Sequence, residues 1–426
     1  MTSFALYRLP YERQVVLVAQ TKGTPVELRS VRQLDGHDGF VVAPFAISDD
    51  CPLVVIRPDV METFADAAAL SGQRFQALQP ASYSGQRFQA LQPLSATQQD
   101  GAMRHCYAAD FHCFHAQILS ERFSKIVLSR CASIPLQHPE ASPAVPAMQR
   151  LEVLPSVGIA AFQRACALYP RLFVALVSTP RSGMWLTATP EVLLESTPEG
   201  RWHTMALAGT MRLDDADYHR QGGGSKADDY SGIAWTAKNI EEQRLVASYI
   251  AGCLHRFSDD VIETGPRTVR AANLVHLRSD FHFTLRESSR WDAGISLGSE
   301  VPQKQSGSAL PENTASMGRL LAALHPTPAV CGLPKDEAFR FILDNEHTPR
   351  RYYSGFMGPL FGSMQTRLFV SLRCMNITPT HYHLYAGGGL LKSSTEELEW
   401  QETEAKMETM RQCVYCSSSP SMSPSM

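Results

Sequence analysis

The apolar pattern is weak over residues 1 to about 100, where only Val15–Val18 and Leu53–Ile56 read as short buried strands. From His105 the spacing turns helical and stays apolar through Ile118 and Leu119. Lys125-Ile-Val-Leu-Ser-Arg130 is a β-branched run and so a strand, with one lysine on an otherwise apolar element. Residues 136–158, rich in Pro, Ala and Ser, read as a connection, and a helix is predicted over 159–168. Strands follow at 173–177, 184–189, 192–194 and 204–210. The polar stretch 211–231, with Gly222-Gly-Gly-Ser225, is predicted to be a loop. A helix over about 235–256 is marked by Ile240, Leu245, Val246, Tyr249 and Ile250. Then come a strand near 280–286 and helices near 314–324 and 335–346, the first stopped by His325-Pro-Thr-Pro328. Leu368–Ile377 and His381–Ala386 read as a hairpin over Thr378-Pro-Thr380.

This is an α+β pattern with long antiparallel strands. Neither βα alternation nor a GxGxxG fingerprint is present, which argues against a dinucleotide-binding fold.

Tyr385 to Lys406 carries the densest candidate chemistry. It reads as a strand end, a glycine turn and a helix. Gly387, Gly388 and Gly389 let a backbone approach closely because no Cβ intervenes. Ser394 and Glu397 have capping-box spacing. Glu399, Glu402 and Lys406 fall on one helix face. Two carboxylates one turn apart suit a hard divalent ion such as Mg²⁺. Taken alone, the same residues also fit a solvated face with an ordinary Glu402–Lys406 pair.

Composition narrows the class. The 426 residues are 44% hydrophobic and 19% charged with net charge −3, as expected of a globular protein without a polyanionic partner. No basic run suggests nucleic acid, and no apolar run is long enough to span a bilayer. With no signal-peptide pattern at the N-terminus, the expectation is a cytoplasmic protein. The ten cysteines lack framework spacing, and Cys413-Val-Tyr-Cys416 is a lone pair of no chemical weight. His105, His112 and His115 beside Cys106 and Cys113 match no zinc signature and belong to an amphipathic helix. Ser71–Pro80 recurs letter for letter as Ser84–Pro93, a duplication predicted to form a surface loop over 71–93. The tail over 417–426 is predicted to be disordered.

Eight short segments stand in order: Lys125-Ile-Val-Leu-Ser-Arg130, Thr189-Pro-Glu191, Leu207-Ala-Gly-Thr210, Lys238-Asn-Ile-Glu-Glu242, His325 to Pro334, Arg350-Arg-Tyr-Tyr-Ser-Gly355, Leu372-Arg-Cys374 and the glycine stretch. Together they resemble the chorismate-utilising enzymes, which include isochorismate and salicylate synthases and the large subunits of anthranilate and aminodeoxychorismate synthases. The resemblance covers about 105–412 and leaves the variable N-terminal 1–100 outside it. It implies a large domain of two packed antiparallel β-sheets flanked by helices, chorismate as substrate and Mg²⁺ as cofactor. It implies Glu242, Glu399 and Glu402 as metal carboxylates, with Arg373 and Tyr353 clamping the enolpyruvyl carboxylate. Gly387, Lys406, His276 and Thr210 complete the implied substrate site.

Within the family, Lys125 resembles the members that add water, and it is implied to be the general base with Glu191 the general acid. Ala208 and Leu207 depart from the members that use ammonia, so no glutaminase subunit is expected. The expected reaction is therefore isochorismate formation, serving menaquinone or siderophore biosynthesis, by a monomer or homodimer. The alternatives are a salicylate synthase, which goes on to eliminate pyruvate, and a non-catalytic chorismate-binding relative. Thr187, Arg351 and Gln243 depart from the family's usual Gly, Gly and His.

Overall fold

The computed structural model describes residues 2–70, 96–136, 147–197, 199–212, 230, 232–272, 274–286, 316–362 and 365–414. The duplicated loop, most of the 211–231 loop and the tail beyond 417 lie outside the described residues.

The first 70 residues supply β1 (Ser3–Arg8), β2 (Val15–Gln20), β3 (Val26–Leu28), β4 (Gly39–Ala43), β5 (Leu53–Ile56) and β6 (Val60–Phe64). Helix α1 (Ala96–Leu119) leads into β7 (Lys125–Pro135). Helix α2 (Ala147–Leu168) leads into β8 (Phe173–Thr179), β9 (Gly183–Thr189), β10 (Val192–Ser196) and β11 (Trp202–Arg212). Next come α3 (Ala237–Leu254), β12 (Ile262–Ala271), β13 (Leu274–Phe283), α4 (Met317–Leu324), β14 (Gly332–Leu333) and α5 (Lys335–Asn345). The last elements are β15 (Phe356–Leu360), β16 (Arg367–Val370), β17 (Cys374–Ile377), β18 (His381–Leu390) and α6 (Glu396–Val414).

The strands form two nine-stranded antiparallel sheets. One has the order β14-β7-β18-β17-β9-β8-β1-β2-β6 and the other β12-β13-β11-β10-β16-β15-β4-β5-β3. Apolar side chains from both inner faces meet between them, among them Phe40, Phe173, Trp185, Leu207, Met357, Phe369 and Tyr385. Phe173 of the first sheet stacks on Phe369 of the second with centroids 4.0 Å apart, a contact worth about 1 kcal/mol beyond its burial. Helices α2 and α6 cover the outer face of the first sheet through Ala161, Phe162, Met407 and Met410. Helices α3 and α4 cover the second through Val246, Ile250, Leu320 and Leu321. The α+β layering and the packed antiparallel sheets are as the sequence led us to expect. No described helix is long and apolar enough to cross a membrane.

Several sequence expectations are corrected. The glycines form no turn: β18 runs straight through them, with Gly387, Gly388 and Gly389 opposite Ser129, Leu128 and Val127 of β7. The turn lies beyond Leu390, where Ser394 Oγ accepts from Leu391 N–H at 3.0 Å instead of closing a capping box on α6. Leu368–Ile377 is not one strand, because β16 belongs to one sheet and β17 to the other. Residues 147–158 are helical despite Pro155, which extends the predicted 159–168 helix toward the N-terminus. Helix α1 begins at Ala96, ahead of His105. The edge strand β12 was not foreseen.

Two of the chain's crossings between the sheets lie side by side. Pro190-Glu191 connects β9 to β10, and Ser371-Leu372-Arg373 connects β16 to β17. The crossings are laced together: Val370 N–H donates to Glu191 O at 2.9 Å and Ala188 N–H to Arg373 O at 3.0 Å. Thr187 Oγ1 adds a bond to Leu372 O at 2.9 Å, a role glycine could not fill. Glu191 and Arg373 are thereby fixed on adjacent backbone between the sheets.

Candidate active site

At the end of the sandwich bounded by β7, β18, β11 and β13, a cavity is lined by Glu191, Thr210, Glu242, His276, Tyr353, Arg373, Gly387, Gly389 and Lys406. Eight of the eleven residues nominated from sequence are among its walls. The other three, Lys125, Glu399 and Glu402, stand directly behind it.

The glycines make the convergence possible. A Cβ on Gly387 would lie 2.8 Å from Tyr353 Oη, and one on Gly388 would lie 2.9 Å from Glu399 Oε2. A Cβ on Gly389 would lie 2.3 Å from Glu242 Oε1 and 2.7 Å from Lys125 Cε. These are close approaches that no side chain at those positions would permit.

Arg373 sits in the left-handed region at φ +45°, which turns its side chain out of the strand direction into the cavity. Its Nη2 donates to His276 Nε2 at 2.6 Å, while Nη1 is buried without a hydrogen-bond partner among the described residues. His276 Nδ1 lies 3.1 Å from Gly209 O. One nitrogen donating and the other accepting defines a neutral imidazole. Burial, then Arg373 and Lys406, hold the His276 pKa well below its ordinary range, in keeping with that tautomer. Burial also lowers Arg373 to about 10.

Glu191 is 2% exposed. Burial pushes its carboxyl up to about 8, against the pull of Lys125, Arg373 and Lys406. A carboxyl with this titration is largely protonated near neutral pH.

Lys125, at the start of β7, is fully buried. Its Nζ donates to Pro328 O at 3.0 Å and faces Glu242 Oε1 at 3.0 Å. Glu242 is itself buried, which opposes its ionisation, but Lys125, Lys238 and Lys406 outweigh burial and hold it below the usual carboxylate range.

The α6 carboxylates are held the same way. Glu402 Oε1 pairs with Lys406 Nζ at 2.7 Å, and that ammonium also donates to Gly387 O at 2.8 Å. Glu399 pairs closely with Lys238 of α3. Burial and the neighbouring Glu402 push Glu399 up, despite that contact. Its Oε2 is buried and unpartnered among the described residues. Among those residues no three acidic, His or Cys side chains converge at ligating distance. Each candidate metal carboxylate is turned to a lysine instead. The set still fits a hard cation in its chemistry: three carboxylates, of which Glu399 presents an orphaned buried oxygen over the Cβ-less face of Gly388.

Sequence reasoning missed two supporting groups. Lys238 was part of a recognised segment without a role, although its i,i+4 spacing to Glu242 was readable. Arg130 lies over the Trp400 ring at 3.6 Å and donates to Thr403 Oγ1 at 2.7 Å, which fixes the roll of α6. Of the three departures, Gln243 accepts from Ala208 N–H at 2.9 Å and so steadies the strand carrying Gly209 and Thr210. Arg351 adopts φ +51°, a conformation that explains why glycine is usual there.

Solved structures share this architecture. One is a putative 2,3-dihydroxybenzoate-specific isochorismate synthase from Bacillus anthracis, with a TM-score of 0.66 and 18% identity over 96% of both chains. Another is the menaquinone-specific isochorismate synthase of Escherichia coli, with a TM-score of 0.65 and 20% identity over 97% of this chain and 89% of that one. At these identities the likeness is one of fold. The chain itself belongs to the chorismate binding enzyme family, whose model matches residues 51–292 and 308–415. Among curated relatives, the salicylate biosynthesis isochorismate synthase of Pseudomonas aeruginosa is 32% identical over 233 residues, 54% of this chain and 42% of that protein. Isochorismate synthase DhbC of Bacillus subtilis is 31% identical over 176 residues, 41% of this chain and 38% of that protein. Each match thus spans less than half of the relative's length.

Proposed function

We propose that this protein is an isochorismate synthase that adds water at C2 of chorismate and expels the C4 hydroxyl. Lys125 is assigned as the base that takes a proton from water as its oxygen bonds to C2. The ring double bonds shift, the C4–O bond breaks, and Glu191 donates its proton so that the hydroxyl departs as water. The sum is an isomerisation, with one water added and one released. The unused Arg373 Nη1 and the Tyr353 hydroxyl would bind the enolpyruvyl carboxylate, a planar acceptor suited to a guanidinium. Neutral His276 orients that guanidinium. Glu242, Glu399 and Glu402 would hold Mg²⁺, which when bound would neutralise the ring carboxylate.

The observation that carries this reading is Glu191, a buried carboxyl kept protonated to about pH 8 on the same cavity as the Arg373 guanidinium. The test is product analysis by chromatography and mass spectrometry after incubation with chorismate and Mg²⁺, with and without ammonium. Isochorismate is the expected product. Salicylate with pyruvate would move the protein to the salicylate synthases. An ammonium-dependent product would overturn the role given to Lys125. Bound but unchanged chorismate would make the protein a binding relative.

A further inference from the structure

The three carboxylates assigned to the metal face three lysines: Glu242 with Lys125, Glu402 with Lys406 and Glu399 with Lys238. The lysines differ in how they are held. Lys125 is fully buried and tied to Pro328 O, and Lys406 is tied to Gly387 O. Among the described residues Lys238 hydrogen-bonds only Glu399, and its side chain, 23% exposed against 17% for Lys406 and none for Lys125, is the most open of the three to solvent. Its ammonium also feels the charges of Glu402 and Glu242. Glu399 is 1% exposed, and in its ionised form a carboxylate buried that deeply calls for a positive partner.

Resting on the metal-site reading above, we infer that Lys238 is a resident counter-ion. It occupies the carboxylate cluster in the metal-free enzyme and swings out when a divalent cation enters. The exchange conserves the site's chemistry: one carboxylate-bound cation replaces another, and no proton need move. It also means that metal affinity is set by competition with a tethered ammonium. An ammonium this close to the ligands opposes a dication strongly at any protein dielectric. Without Lys238 the free metal should therefore bind at least about tenfold more tightly. Glu399, left without its own lysine, would destabilise the fold until metal is supplied.

The test is calorimetric titration of Mg²⁺, and of Mn²⁺ as a tighter probe, into wild-type full-length protein and Lys238→Gln, with Tm measured in EDTA and in saturating metal. The expected result is tighter metal binding by the variant, a lower Tm in EDTA and a larger metal-induced rise in Tm. Equal or weaker binding by Lys238→Gln, with metal still bound by the wild type, overturns the inference and leaves the metal site standing. No binding by either protein overturns the metal site and the inference with it. A measurement without substitution covers a variant that does not fold: amine labelling of the wild type, read by peptide mass spectrometry with exposed Lys22 as reference. Saturating Mg²⁺ should raise labelling of Lys238 several-fold, and unchanged labelling would overturn the exchange.

Discussion

Replacing Glu191 by glutamine separates what this residue does for the reaction from what it does to the fold. In the folded protein its carboxyl titrates at about 8 against an ordinary 4.5. The folded state therefore keeps the proton over a range where the unfolded chain has lost it. The stabilisation this represents is complete below pH 4.5, declines as pH rises and is gone above about 8. The difference of 8 − 4.5 at about 1.4 kcal/mol per pH unit gives roughly 5 kcal/mol. That is an upper value, since an ionised carboxylate would draw in water. Glutamine has the same shape and no charge to bury. Its stability relative to wild type should therefore climb between pH 5 and pH 9. With an unfolding entropy of ~2.1 cal/mol/K per residue over 426 residues, the full effect is a gain of about 5 °C in relative Tm. Turnover should move the opposite way, falling about 10²–10⁴-fold with loss of the acid. The wild-type kcat/KM should decline above about pH 8, and the residual activity of the variant should lack that limb. Thermal scans and pH–rate profiles on both proteins provide the assay. A Tm difference flat across pH, or turnover within a few-fold of wild type, would refute the reasoning.

Four further outcomes are expected. Lys125→Ala should abolish turnover while chorismate binding, measured by calorimetry, stays within a few-fold of wild type. Arg373→Lys keeps the charge but not the fork, so KM for chorismate should rise roughly tenfold or more in steady-state assays. Gly389→Ala would drive a methyl to 2.3 Å from Glu242 Oε1, and should cost about 1–3 kcal/mol in denaturant titrations and most of the activity. His203 lies between Glu195 at 2.7 Å and Asp280 at 2.8 Å, and although burial opposes its charge these partners raise its pKa. Its stabilisation is full below about 6.5 and is lost as pH rises through the raised value, so His203→Asn should flatten that part of the stability–pH curve.

The layered fold and most of the site could be read from residue order because both rest on local signals. Alternating apolar runs announce strands, and the acidic i,i+3 pair on α6 announces a charged face. What escaped is tertiary. Gly387–Gly389 look like a turn until β7 is laid against them, since pairing offsets the conformational entropy that glycine brings to a strand. Leu368–Ile377 is continuously apolar because both its halves are buried, and only the sheet assignments reveal the crossing at Arg373. Pro155 suggested a connection, yet the packing of α2 on the first sheet, with Ala161 and Phe162 fully buried, overrides one missing hydrogen bond. The pairing of each metal-site carboxylate with a lysine from a different part of the chain has no linear trace beyond Glu402–Lys406.

The strands of the first 70 residues also set the order in which the molecule can be assembled. β4 leaves the ribosome early, but its neighbour β15 lies roughly 300 residues later, pairing Ala43 with Phe356. At ~5–20 residues per second, an apolar strand waits some 15–60 s for that partner. β1 waits a shorter time for β8, which it joins from Phe4 to Arg8. Both sheets therefore close late and through distant contacts, which slows folding and leaves strand edges bare in the interval. Recovery of native protein should depend on chaperone supply and synthesis temperature more than on the stability of the finished sandwich.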